Sequence, residues 1–247
     1  ISDGTIVVGA FLDDDKGSDS GSAYVFEMSS PGDASSFTQV AKLTADDGAT
    51  NDYFGNYVVI GDGTIVVAAG AKNNNDNGAV YLFEKSSSDD ASSWTQVAKL
   101  TADDGAKDDE FGTSVAIRDG IIVVGARLDD DKGSNSGAAY LFQMSSPGDA
   151  SSFTQVAKLT ADDGAANDRL GVSVAISDGI IVVGAPWDDN KKGSAYVFKM
   201  SSSDDSSSWE QVAKLTVGSA GDNFGHSVSI SDGTIVVGAF LDDDKGS

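Results

Sequence analysis

The stretch FGTSVAIRDGIIVVGA, residues 111–126, decides how this chain folds. A Phe-Gly pair leads into the short run SVAI, an Asp-Gly pair follows, and a second apolar run, IIVVGA, closes the stretch. Short runs rich in β-branched residues on either side of Asp-Gly are the pattern of two antiparallel strands joined by a tight turn. Neither run is long enough to cross a bilayer. Working outward, the same opening returns at Phe54-Gly55 and Phe224-Gly225, with Leu170-Gly171 in the equivalent place, at spacings of 57, 59 and 54 residues. Between these openings each unit adds an acidic loop, an AYVF-like run, a Ser-rich loop, the run TQVAKLT and a second acidic loop. VAKLTADDGA stands at 40–49, 97–106 and 156–165, and decays to VAKLTVGSAGD at 212–222. Self-similarity at a fixed period marks a repeat architecture.

A second level lies above this one. Units one and three share DDDKGS and MSSPGDASSFTQ; units two and four share SSSDD and a tryptophan, Trp94 or Trp209. The eighteen letters ISDGTIVVGAFLDDDKGS occupy 1–18 and again 230–247. The reading is a window of a longer array with a period of four units, the alternative being a boundary chosen within a chain of just over four. The units run 1–53, lacking its first strand, then 54–110, 111–169 and 170–223, with the start of a fifth at 224–247.

The formal net charge is −23. That argues against nucleic acid and against an anionic membrane surface as partners, because both require clustered Lys and Arg. Only Glu27, Glu84, Glu110 and Glu210 are glutamates; the rest of the acid is aspartate. Aspartate beside Gly, Ser and Asn points to turns and to hard-cation ligands. The chain has no cysteine, which excludes a disulfide framework and thiol chemistry.

Four strand signals per unit and no helical periodicity predict an all-β protein built of four-stranded antiparallel meanders. One such sheet cannot bury both faces, so neighbours must stack on it, and four-stranded units in series form a β-propeller-type array. Phe54, Phe111 and Phe224 are expected between neighbouring sheets, and Gly9, Gly125 and Gly184 where backbones approach closely.

Phe-Gly at the start of the unit and Gly184-Ala185-Pro186 after the second strand resemble the FG-GAP repeat found in integrin α-subunit propellers. The trailing W-x-Q-V-A-K-L-T-A-x-D-G looks like the variant of that repeat in secreted microbial and algal proteins. The resemblance covers the whole chain. It implies a propeller of FG-GAP blades and an extracellular or cell-surface setting. The integrin-like repeat holds calcium in a D-x-D-x-D-G loop between strands one and two. Here that connection is only Ser-Asp-Gly or its equivalent, so that site does not carry over. Four units fit a small closed ring and fit equally a continuous unclosed stack.

Meander loops alternate between two ends, which places the loop between strands two and three with the loop that leads to the next unit. The first carries Asp13, Asp14, Asp15 and Asp19, then Asn73, Asn74, Asn75 and Asp76, then Asp129, Asp130, Asp131 and Asn135, then Asp188, Asp189 and Asn190. The second carries Asp46, Asp47 and Asp52, then Asp103, Asp104 and Asp109, then Asp162, Asp163 and Asp168, and finally Asp222 alone. At an effective dielectric near 20, two charges ~4 Å apart repel by roughly 4 kcal/mol, so something should offset them. Ca²⁺ is one candidate, with Asp13, Asp15, Asp19, Asp46, Asp52, Asp103, Asp109, Asp129, Asp131, Asp162, Asp168, Asp188 and Asp222 as its ligands. The other is that these aspartates are solvated turn formers, with Lys16 and Lys132 as partial partners. The opposite end carries solvated Ser-rich loops.

Catalysis finds little support. His226 replaces Asn56, Thr113 and Val172 of the other units and reads as a surface substitution. The paired carboxylates recur in every unit, whereas an enzyme needs one asymmetric site. The sequence therefore points to a non-enzymatic extracellular structural protein, part of a fibre, filament or matrix. Its partners are other copies of itself or adjacent repeats in a longer chain. The alternative is a calcium-dependent adhesion propeller with a protein or glycan ligand.

Overall fold

A computed structural model describes residues 1–30, 32–70, 77–87, 90–201 and 208–242. Strands β1 (Thr5–Ala10), β2 (Ser22–Met28) and β3 (Phe37–Leu43) form a three-stranded sheet in that order. β4 (Phe54–Gly61), β5 (Thr64–Ala69), β6 (Ala79–Lys85) and β7 (Trp94–Leu100) form the second sheet, again in chain order. The third holds β8 (Phe111–Arg118), β9 (Ile121–Ala126), β10 (Ala138–Met144) and β11 (Phe153–Leu159). The fourth holds β12 (Ser173–Ser177), β13 (Ile180–Ala185), β14 (Ser194–Met200) and β15 (Trp209–Leu215). β16 (Phe224–Ser231) pairs with β17 (Thr234–Ala239). Every pairing is antiparallel. The expected meander is therefore present in each unit.

The turns explain the hairpins. Asp62 and Gly63 have φ of 53° and 76°, and Asp178 and Gly179 have 51° and 70°. Two successive positive φ values are the type I′ turn, whose twist matches that of the strands and which Asp-Gly adopts at low cost.

Period-two alternation then sorts the side chains between two interfaces. Ile65 and Val67 join Val25, Leu43 and Phe54 in the core between the first and second sheets. Val66 and Ala68, one residue out of phase, join Phe111, Ile122 and Tyr140 between the second and third. A third core lies between Val123 and Leu141 on one side and Ile181 and Tyr196 on the other. Phe111 is fully buried and meets Tyr140 and Phe142 edge-on at centroid distances of 5.5 and 5.9 Å; Phe54 meets Tyr81 and Phe83 at the same two distances. Trp94 packs half-buried beside the first of these cores and Trp209 beside the third.

At Gly125 the sheets come so close that an added Cβ would fall on the Gly171 carbonyl oxygen, and Gly184 stands in the same relation to Gly225. Ser114 and Ser173 donate hydrogen bonds to those two carbonyls at 2.8 and 2.9 Å, stitching each sheet to the next at this crossing.

Candidate functional site

The two acidic loops of units one, three and four do meet at one end. Ser18, Asp19 and Ser20 carbonyls accept the N–H groups of Asn51, Tyr53 and Phe54 at 2.8, 3.0 and 3.1 Å. Ser134, Asn135 and Ser136 repeat the arrangement with Asn167, Arg169 and Leu170. Asn73, Asn74, Asn75 and Asp76 lie outside the described residues.

The carboxylates divide into three jobs. Asp52, Asp109, Asp168 and Asp222 are buried, and each accepts the N–H three residues back, at 2.6, 2.7, 2.7 and 2.5 Å, closing the turn into the next unit. Burial pushes the carboxyls of Asp52, Asp109 and Asp168 above the ordinary range, only partly opposed by that hydrogen bond. Asp46, Asp103 and Asp162 are exposed; their backbone N–H groups donate to the Gln96, Gln155 and Gln211 side chains of the following unit, each at 3.0 Å. Asp19 is half-buried, at φ 54°, and its N–H donates to Asp14 at 2.8 Å.

The third group is organised by a lysine. Lys158, near the end of β11, lies 2.8 Å from Asp104, 2.8 Å from Asp129 and 2.5 Å from Asp131. Tyr140 donates to Asp129 at 2.7 Å. Lys214 repeats this with Asp163 and Asp188, both at 2.7 Å, and Tyr196 donates to the same two carboxylates at 3.0 and 3.1 Å. Lys99 and Tyr81 hold Asp47 at 2.5 and 2.9 Å. In unit one Lys42 sits 3.0 Å from Asp13 and also against Asp15, while Tyr24 and Ser22 donate to Asp13 at 2.7 and 2.8 Å. Each lysine crosses the face of its tyrosine, 5.0–5.3 Å from the ring centroid. Asp47, Asp104 and Asp163 belong to the unit before their lysine, so these three clusters tie two sheets together, whereas the Lys42 cluster lies within unit one.

Among the described residues no three acidic side chains are grouped to hold a metal ion. The donor set does not fit calcium, because an ammonium already stands where the carboxylates converge. Among the described residues the ion pairs run to Lys42 and Lys158, not to the neighbouring Lys16 and Lys132. The signal was available in the sequence: the lysine of VAKLT and the tyrosine of AYVF, VYLF or AYLF stand at matching places in every unit. A lysine inside a half-buried strand needs a partner.

The titration behaviour follows. Asp13 is held below its ordinary range by the Tyr24 and Ser22 hydroxyls and then Lys42. At Asp47, Asp104 and Asp163 burial pushes upward, but the lysine and tyrosine outweigh it and leave each carboxyl low. Lys158 and Lys214 are pulled down by burial and, more strongly, raised by their carboxylates; Lys42 is raised chiefly by Asp15. Groups with lowered carboxyl values contribute stability that is present above the unfolded value and lost as pH falls through the acid range; Asp52, Asp109 and Asp168 act in the opposite sense. The raised lysines contribute stability that is whole below their unfolded value of about 10.4 and lost above it. Urea midpoints measured across pH should therefore hold through neutrality and fall above about pH 10. A flat alkaline limb would show that the lysines are not paired in solution.

Unit four departs from this scheme. Its last loop keeps the cap, Asp222 to the Ser219 N–H, but the two aspartates that stand at Asp46 and Asp47 in unit one are deleted from it. The joint to the fifth unit thus lacks a carboxylate that could reach a following lysine.

Inside the arc, β4, β8, β12 and β16 run beside one another and line a cavity of about 680 Å³. Asn56, Thr113, Val172 and His226, from the same position of successive units, all face it. His226 is exposed there and stacks on Phe240 with centroids 4.8 Å apart.

Antiparallel four-stranded sheets stacked face to face around a shared cavity define a β-propeller-type repeat protein. More particularly, the chain belongs to the FG-GAP repeat family, which matches residues 1–26, 37–83, 94–142, 153–198 and 209–247. Each inner match begins on the last strand of one sheet and ends on the third strand of the next, so it holds the carboxylate of one joint, while the lysine that meets it lies in the following match. No curated protein is similar to the chain in sequence. Among solved structures it is similar to the Chaetomium thermophilum Sqt1 bound to the N-terminus of the ribosomal protein L10, with a TM-score of 0.49 and 15% identity over 89% of this chain and 53% of that one. The chain spans about half the length of that protein. Among the described residues no helix is long and apolar enough to cross a membrane.

Proposed function

We propose that this chain is a stretch of a non-enzymatic, extracellular structural array, in which FG-GAP units stack through one repeated interface. The observation that carries the reading is the recurrence of a single joint. Asp47 with Lys99, Asp104 with Lys158 and Asp163 with Lys214 make the same contact at three successive junctions. A polymer needs interfaces that are alike, because each unit must accept the next in the same way. Val67, Val124 and Val183 support it further: at the same position of successive units, all are fully buried under a neighbouring sheet. The charged groups that recur in each unit serve these joints, which favours a structural role over catalysis.

Electron microscopy of the native, full-length material tests the reading. Rods or filaments with an axial repeat are expected; separate compact particles would contradict it and favour a discrete adhesion propeller. Because an ammonium already stands where the carboxylates converge, removing calcium with a chelator should leave both the particles and the melting temperature unchanged. A fall in melting temperature on chelation, reversed by calcium, would return the metal to the acidic loops.

A further inference from the structure

In a repeated chain a departure from the repeat is informative, and unit two departs at the wall of the cavity. In units three, four and five a serine of the first strand pairs with a glycine of the second: Ser114 with Gly125, Ser173 with Gly184 and Ser227 with Gly238. The fit is close, since a Cβ added to any of those glycines would lie 2.4–2.5 Å from the serine Oγ. Unit two pairs Tyr57 with Ala68 instead. It gives up the hydroxyl with which Ser114 and Ser173 stitch one sheet to the next. In exchange it presents a tyrosine that is 42% exposed and lines the cavity. Gly70 is a second departure, standing where the other units have Phe11, Arg127, Pro186 and Phe240. A Cβ added there would lie 2.9 Å from the side-chain nitrogen of Asn56, so the bare backbone makes room for that amide. Asn56 is itself exposed and lines the cavity beside Tyr57.

The adjoining sheet contributes Glu110, just before β8, and Arg127, just after β9; both line the same cavity. The Arg127 Nε–H donates to the Glu110 carboxylate, so the pair is neutral as a whole, and the guanidinium fork carries further N–H donors. Among the described residues that line the cavity these two alone are charged, with His226 neutral. That sets the lining apart in a chain of formal net charge −23. A charged ligand meets no uncompensated opposite charge there. A neutral ligand meets an aromatic face, an amide, and donors and acceptors held side by side. The volume of about 680 Å³ lies in the range of small-molecule sites, which combine apolar and aromatic walls with a few placed polar groups.

We propose that this cavity binds a neutral pyranose sugar, with Tyr57 as the stacking face and Asn56, Arg127 and Glu110 as partners for its hydroxyls. A pyranose has a C–H-rich face that suits an aromatic ring, and a rim of hydroxyls that each donate and accept. None of the joint lysines lines the cavity, so the site stands whether or not the units build a filament.

Saturation-transfer NMR on the intact chain tests this with the methyl glycosides of glucose, galactose and mannose. Sorbitol is the control with hydroxyls but no ring, glucuronate the anionic control and tetramethylammonium the cationic one. At least one methyl glycoside should bind saturably in the millimolar range, with transfer strongest to its ring C–H protons. The same sugar should shift the backbone amides of Asn56, Tyr57 and Gly70 in a ¹⁵N-correlated spectrum. Tyr57→Ser installs the residue that units three, four and five already carry in this fold, and should weaken binding about tenfold while amides of the other units stay in place. The proposal is overturned if none of the three glycosides saturates, or if sorbitol binds as well as they do. It is overturned equally if glucuronate or tetramethylammonium binds more tightly than every neutral glycoside, or if Tyr57→Ser binds the sugar unchanged.

Discussion

Lys158→Met is expected to lower the stability of the protein by about 3–5 kcal/mol, the range for removing one partner of a buried ion pair. Asp129 is 2% exposed and keeps only the Tyr140 hydroxyl and the Asp131 N–H once the ammonium is gone. Asp104 and Asp131 would then face it across a space with no positive charge. The methionine conserves the aliphatic stem over Tyr140, so lost packing is not the cause. Lys132→Met, on the adjacent loop, should change stability by no more than about 0.5 kcal/mol, as for an ordinary surface position. Equilibrium urea unfolding of both variants checks the pair. Equal, small effects would mean that the acid end is balanced by solvent and salt and that the lysine is incidental.

Phe111→Ala is expected to cost about 3–5 kcal/mol through the cavity it leaves. The ring is fully buried and meets two further rings edge-on, while Val66, Leu82 and Ile122 share the same core between the second and third sheets. The backbone near it cannot collapse into the space, because Gly78 already touches the Phe111 carbonyl. In the fourth unit the same position is Leu170, also buried at 1%, which suggests that Phe111→Leu costs much less. Urea unfolding with a tyrosine and tryptophan fluorescence readout separates the two variants. A small loss for the alanine variant would place the stabilising core elsewhere than between the sheets.

The fold was legible because its signals are local. Asp-Gly at 62–63, 119–120 and 178–179 dictates hairpins by backbone conformation alone, and alternation in TIVVAA and IIVVGA dictates two buried faces. The end on which the acidic loops meet was legible too, from the parity of a meander. What escaped was the partner of each carboxylate. Asp104 and Lys158 lie 54 residues apart on different sheets, and nothing in either local stretch names the other. The sequence suggested Lys16 and Lys132 because they are near in the chain; register places the β3 and β11 lysines under the loops instead. His226 read as an ordinary surface substitution, and only the arrangement of the first strands around a common cavity shows that its position lines the interior of the arc.

Units one, two and three each grip the next through a carboxylate on one and a lysine on the other. A double-mutant cycle between Asp104 and Lys158 measures that grip directly, using Asp104→Asn, Lys158→Met and the pair, each unfolded in urea. Asp104 is half-exposed, so the coupling energy predicted is about 1 kcal/mol, the upper range for such pairs. A coupling indistinguishable from zero, with the single variants simply additive, would contradict the joint and leave the sheets held by their apolar faces alone.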